Sequence, residues 1–201
     1  MTWEADNLWE KDWWGDCVNT LREELLQFAY SKRMGLQSTY NSRTDFNIDM
    51  HGKSVIDMGG GPTSLLLKCQ NVKGTVIDPC KFPDWVGGRY KAAGIKYFQI
   101  KAEELTLAQA DEVWIYNCLQ HTESPEKIIE NARKAAGTIR LFEYIDTGTS
   151  DGHPHELTEE KLNSWLSGRL CSRGTVEWIN EEGDSELNKH GAIGKAYYGV
   201  F

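Results

Sequence analysis

The sequence predicts an α/β protein built on a doubly wound, mostly parallel seven-stranded sheet, with a terminal antiparallel strand pair and an N-terminal helical cap. Three observations point there. From Gly52 onward short apolar runs alternate with helical stretches, and repeated strand–helix units imply a parallel sheet covered by helices on both faces. The fourth such run, Glu112–Tyr116, is apolar on both faces, as buried parallel strands are. Two strand-like segments, Thr175–Asn180 and Ala196–Phe201, close the chain.

Each element has its own justification. Residues 1–50 read as a helical cap or lid: Trp3, Trp9, Trp13 and Trp14 punctuate an acidic segment, and Asp16–Arg33 is amphipathic through Val18, Leu21, Leu25 and Phe28. Leu36–Asp49 is polar with little periodicity and reads as a loop. Residues 51–201 form the sheet domain. Its first strand, Ser54–Met58, runs into Gly59-Gly60-Gly61-Pro62-Thr63, and Ser64–Cys69 reads as the following helix. Thr75–Ile77 is a second strand ending at Asp78, Trp85–Ala93 a helix, Ile95–Ile100 a third strand and Leu105–Ala110 a short helical segment. Pro125 suits the start of the helix Glu126–Ala136, because its fixed φ is already helical. Thr138–Ile145 is the fifth strand. Thr158 opens the helix Thr158–Leu166 with half a capping box, Lys161 standing where a glutamate would complete it.

The bulk numbers bound the function. The chain has 201 residues, 40% hydrophobic and 26% charged, ordinary for one globular domain with a small appendage. No apolar run approaches the ~20 residues that cross a bilayer. The N-terminus lacks the basic and apolar regions of a secretory signal. A cytoplasmic protein without a membrane partner is expected. The five cysteines, Cys17, Cys69, Cys80, Cys118 and Cys171, are scattered, which argues for reduced thiols over a disulfide framework or a zinc cluster. The net charge of −8 without a dense Lys/Arg run disfavours a nucleic-acid partner, since phosphate binding draws on a basic face. The sequence carries no signal of oligomeric state.

The glycine turn carries the chemistry. Glycines allow positive φ and close approach of a ligand, and amides at a helix start favour an anionic group. A dinucleotide-binding loop requires G-x-G-x-x-G, but Gly59-Gly60-Gly61-Pro62-Thr63-Ser64 lacks the third glycine. Pro62 also lacks the amide a pyrophosphate would use. An acid before the glycines, Asp57, suits a cationic ligand group better than a diphosphate. Asp78 ends the next strand about twenty residues on, where an acid can bind both hydroxyls of a ribose. Each feature alone is also compatible with a structural turn.

The stretch Val55-Ile56-Asp57-Met58-Gly59-Gly60-Gly61-Pro62 resembles motif I of the class I, Rossmann-like S-adenosylmethionine-dependent methyltransferases: an acid, any residue, then Gly-x-Gly-x-Gly. Thr63 stands where the last glycine would be. The resemblance covers roughly residues 50 to 201. It implies S-adenosylmethionine as cofactor, S-adenosylhomocysteine as product, Asp57 near the methionine ammonium, and Gly59, Gly60 and Gly61 along the cofactor. Asp78 and Pro79 would meet the ribose and Ala102 and Glu103 the adenine, although a helix N-terminus explains the glutamate equally well. Asn117 and Cys118, after the fourth strand, would also touch the cofactor. Tyr116-Asn117-Cys118-Leu119 is not the Asn-Pro-Pro-Tyr associated with amino-methylation of bases, which favours a small-molecule acceptor over a macromolecular one. A binding protein without catalysis stays open as an alternative.

Methyl transfer is an in-line displacement in which positioning supplies much of the rate, and an oxygen or nitrogen nucleophile also needs a base. The carboxyl ends of the fourth and fifth strands offer His121, Glu143, His153 and His155 as candidates, the histidines because they titrate near neutrality. His153 and His155 flanking Pro154 make a poor metal pair, and no metal is expected. Trp13, Tyr30, Tyr40 and Tyr144 are candidate acceptor contacts, able to stack on an aromatic or sugar ring. Aromatic anchoring of a helix on the sheet explains the tryptophans equally well.

Overall fold

The structure is a computed structural model that describes residues 8, 12–15, 20–106, 109–167, 173–180, 183–186 and 192–201. Trp3, Trp9, Cys17, Val18 and Cys171 lie outside them. Helix α1 spans Thr20–Arg33. Strands β1 (Ser38–Tyr40), β2 (Phe46–Asp49), β3 (Ser54–Met58), β4 (Cys69–Gln70) and β5 (Lys73–Ile77) follow, then α2 (Asp84–Ala92), β6 (Lys96–Phe98) and β7 (Ala110–Tyr116). Helix α3 (Pro125–Ala135), β8 (Ala136–Ile145), α4 (Glu159–Leu166), β9 (Thr175–Ile179), β10 (Ser185–Glu186) and β11 (Gly194–Val200) complete the order.

The main sheet runs β10-β9-β11-β8-β7-β3-β5-β6. Strands β8, β7, β3, β5 and β6 are parallel, and β11 inserts antiparallel between β8 and β9. A two-residue eighth strand, β10, lies at the edge beside β9. The main sheet begins at central β3, moves out to β5 and β6, then returns to the other side of β3 with β7 and β8. That reversal opens a crevice at the carboxyl ends of β3 and β7, where open α/β sheets bind ligands.

Alternation along the strands divides the core in two. Val55, Trp114 and Phe142 face α1 and α2, packing on Leu26, Tyr30, Met34, Val86 and Tyr90. Ile56, Val113, Ile115 and Leu141 face α3 and α4, packing on Ile128, Ile129, Ala132, Leu162 and Leu166. Ile128, Ile129, Ala132 and Ala135 share one stripe of α3 at spacings of three and four residues. Each fully buried Ile or Leu there contributes about 1.5–3 kcal/mol. The Thr158 hydroxyl accepts from Lys161 N at 3.3 Å and caps α4. Towards the amino end of β7, Glu112 is buried and paired with Arg140 (Nε–Oε2 2.6 Å), while Arg140 Nη1 donates to Met34 O at 2.7 Å and closes the end of α1.

Three expectations need correction. Leu36–Asp49 is not a loop: β1 and β2 pair antiparallel and, with β4, form a separate three-stranded sheet. Phe46 and Ile48 are buried while Asn47 and Asp49 are exposed, a period-two pattern too short to stand out among polar neighbours. Ser64–Cys69 is not an α-helix but a 3-10 turn, Leu65–Lys68, followed by β4. Cys69 is extended and pairs with Ile48, so tertiary pairing overrides the apolar run's helical propensity. Within Leu105–Ala110, Leu105 is extended and Ala110 already belongs to β7, while 107–108 lie outside the described residues. A helical turn described nearby, Ala102–Glu104, precedes it.

Candidate functional site

The glycine turn is held from three sides. Gly59 has φ +79° and Gly61 φ +58°, left-handed values that glycine adopts without penalty. A Cβ on Gly59 would sit 2.6 Å from Cys118 Cβ. From the β5 side, Asp78 Oδ2 accepts from Gly61 N and its Oδ1 from Cys80 N, both at 2.9 Å. From the α2 side, the Tyr90 hydroxyl donates to Gly61 O at 2.6 Å and accepts from Ser64 N at 3.0 Å. From α1, Gln27 Nε2 donates to Thr63 O and Glu24 accepts from the Thr63 hydroxyl.

Asp57 lies beneath the turn and is fully buried. Its Oδ2 accepts from the Ser64 and Tyr116 hydroxyls at 2.5 and 2.6 Å, and its Oδ1 makes no hydrogen bond. Burial pushes its pKa up to about 7, against the lowering effect of those hydroxyls and with a small push from Asp78. Asp57 therefore supports the loop rather than facing outward.

A cavity of 520 Å³ opens above the carboxyl ends of the parallel strands. Gly59, Gly60, Gly61, Asp78, Pro79 and Cys80 line it from β3 and β5; Tyr116, Asn117, Cys118, Gln120 and His121 from β7; Tyr144, Thr147 and His153 from β8 and its loop. Ala102 and Glu103 add a wall, and Trp13, Trp14, Glu23, Leu26 and Tyr30 cover it from the N-terminal side. Asn117 (φ +48°) and Asp146 (φ +58°) take left-handed conformations just past β7 and β8, a strain that clusters at ligand sites.

The sequence-derived candidates separate by position. Gly59, Gly60, Gly61, Asp78, Pro79, Ala102, Glu103, Asn117 and Cys118 line the cavity, whereas Asp57 does not. Glu103 Oε1 also accepts from Glu123 N and Ser124 N, so the same side chain holds the start of α3. Of the proton-transfer candidates, His121 and His153 line the cavity and their rings lie 4.5 Å apart. His121 Nδ1 lies 2.6 Å from Gly152 O, which places a proton on Nδ1, and Nε2 accepts from Gln120 Nε2 at 3.4 Å. Burial, aided by His121, pushes the His153 pKa down to about 4. His155 is instead in contact with Glu123 O. Glu143 does not line the cavity; it is fully buried, its Oε1 accepting from Cys118 N and Leu119 N at 3.1 Å. Trp13, Tyr30 and Tyr144 line the cavity, but Tyr40 is 59% exposed and packs on Phe28.

Sequence reading missed Glu23, Leu26 and Gln120. The first two had a signal: Glu23, Leu26 and Tyr30 are spaced i, i+3, i+7 and share one face of α1. Among the described residues no group of three or more His, Cys, Asp or Glu side chains is arranged to hold a metal ion.

No protein-family model and no curated protein sequence matches the chain. Solved structures do. The 1,6-didemethyltoxoflavin-N1-methyltransferase of Burkholderia thailandensis, crystallised with its substrate and S-adenosylhomocysteine, superposes with a TM-score of 0.60 at 13% identity, over 98% of this chain and 86% of that one. An S-adenosylmethionine-dependent methyltransferase of Thermotoga maritima gives 0.57 at 12% identity, over 98% and 97%. The chain has the fold of the class I methyltransferases. A chain of the Haloferax volcanii complex that contains the Trm112 methyltransferase activator agrees, at 0.61 and 12% identity over 94% and 95%. In this methyltransferase fold the glycine turn follows the central strand β3, and the cavity extends from it across the ends of β7 and β8.

Proposed function

We propose that the protein is an S-adenosylmethionine-dependent methyltransferase acting on a small-molecule acceptor. The observation that carries this reading is the joining of the Gly59–Gly61 turn to Asp78 at the head of one cavity that continues past Asn117 to Tyr144. The residues fit the cofactor. Gly59 has no side chain where Cys118 packs against it, which keeps the turn close to the cavity, and Asp78, its oxygens accepting from Gly61 N and Cys80 N, lines the same end where a ribose would lie. Asp78 and Glu103 give this end a negative potential suited to a cationic ligand.

S-adenosylmethionine supplies an electrophilic methyl group on a sulfonium centre. Asp78 and the glycine amides would fix the nucleoside, and the aromatic wall of Trp13, Trp14, Tyr30 and Tyr144 would exclude water and orient the acceptor. His121 would receive the acceptor's proton at Nε2 in exchange for its contact with Gln120 Nε2, its Nδ1 donating to Gly152 O. Residues 1–50 would act as the cap.

Calorimetric titration with S-adenosylmethionine tests the reading. Binding is expected, and Asp78→Ala should weaken it at least about tenfold, since charged hydrogen bonds contribute roughly 1.5–3 kcal/mol. No binding at millimolar cofactor would sink the proposal.

A further inference from the structure

The methyltransferase motif has its last glycine at position 63, and this chain has threonine there. Thr63 is buried in the cavity wall, at a point where α1 grips the glycine turn. Gln27 Nε2 donates to the Thr63 carbonyl oxygen, and the Thr63 hydroxyl donates to Glu24 Oε1 at 3.1 Å. The same Glu24 oxygen accepts from Arg89 Nη2 of α2 at 3.0 Å, so α1, α2 and the turn meet at one carboxylate. On either side of Thr63 the turn is tied to Tyr90, whose hydroxyl donates to Gly61 O and accepts from Ser64 N. A glycine at 63 would keep the carbonyl contact and lose the hydroxyl.

Helix α1 thus carries two adjacent stripes. Leu26 and Tyr30 line the cavity, while Glu24 and Gln27 hold the turn, because residues three and four apart share a helix face. The carboxyl end of the helix is fixed separately, by Arg140 Nη1 on Met34 O. At a rise of about 1.5 Å per residue Glu24 lies about 15 Å from Met34, so a tilt of about 5° around that end moves it by about 1.3 Å. A misplacement of about 1 Å is enough to cost roughly 100-fold where reacting groups must be aligned. We propose that Thr63 is a positioning residue that sets the cap helix against the cofactor turn, so that the contacts shaping the turn also place the Leu26–Tyr30 wall. Opening of α1 then releases the turn, and a ligand that needs the turn intact opposes that opening. This rests on the methyltransferase reading and gives a role to the position at which the chain departs from the motif.

The test is amide hydrogen exchange on the full chain, with and without saturating S-adenosylhomocysteine. It compares α1 (Thr20–Arg33) with α3 (Pro125–Ala135), which reports global opening. Without ligand, Thr63→Val should speed exchange of α1 about fivefold and leave α3 at its wild-type rate. Thr63→Ser keeps the hydroxyl and should restore α1. S-adenosylhomocysteine should slow α1 at least about fivefold in the wild type and in Thr63→Ser, but less than about twofold in Thr63→Val. Glu24→Ala removes the same bond from the helix side, should give the same pattern, and decides if Thr63→Val does not fold. Equal α1 exchange in the wild type and Thr63→Val, or α1 and α3 speeding together, overturns the inference. Equal slowing of α1 by the ligand in both chains overturns it too. Failure of S-adenosylhomocysteine to bind the wild type would remove the methyltransferase reading, while the ligand-free comparison would still decide the role of Thr63.

Discussion

Replacing Glu143 with glutamine should make the protein less sensitive to rising pH. Glu143 is fully buried, and one oxygen accepts the amides of Cys118 and Leu119 while the other has no hydrogen-bond partner. Burial pushes its pKa from 4.5 up to about 8, outweighing those two amides. The folded protein thus holds this proton to higher pH than the unfolded chain does. The stability associated with it is complete below the unfolded value and is lost as pH rises towards 8. At about 1.4 kcal/mol per unit, the loss between pH 5 and pH 8 is roughly 3–4 kcal/mol. Glutamine keeps an oxygen for both amides and cannot ionise, so Glu143→Gln should lack that loss. Urea unfolding of both proteins from pH 5 to pH 9 measures it, and groups common to both, including Asp57, cancel in the difference. Profiles that stay parallel to within about 0.5 kcal/mol would refute the assignment of a raised pKa to Glu143.

Three further outcomes follow from the same structure. Gly59→Ala places a methyl 2.6 Å from Cys118 Cβ at φ +79°, and should cost about 2–4 kcal/mol in stability and weaken cofactor binding, read by thermal melting and calorimetry. Tyr90→Phe removes the hydroxyl that joins Gly61 O to Ser64 N; denaturant unfolding should show a loss of about 1–3 kcal/mol. Arg140→Met removes two guanidinium bonds from the buried Glu112 carboxylate, leaving it Lys53 and the Trp114 indole, and should cost about 1–3 kcal/mol, while adding Glu112→Leu should recover part of it. A double variant no more stable than the single one would show that lost packing, not lost charge pairing, caused the effect.

The strands of the main sheet were legible because Val55–Met58, Val113–Tyr116 and Leu141–Ile145 are apolar runs bounded by turn residues. The glycine turn and Asp78 were legible because their spacing reflects backbone geometry. The direction of a side chain within a strand was not. Asp57 and Glu143 read as outward acids, yet both enter the core, because each occupies one phase of a two-residue alternation that the loop ahead does not disclose. The small β1-β2-β4 sheet escaped notice because β2 is four residues long and takes its apolar partners from segments distant in sequence. Glu23 was hidden in a helix read only for its apolar stripe.

Asp78 engages Gly61 and Cys80 amides, and Tyr90 the Gly61 carbonyl, so contacts within the chain itself set the loop's shape. The loop therefore settles into its working shape during folding, when its conformational entropy is given up. A cofactor arriving at such a turn has little left to order, so its association should be fast and its affinity should change little with temperature-driven loosening of the loop. At the acceptor end the wall is instead made of side chains, from one helix and two tryptophans.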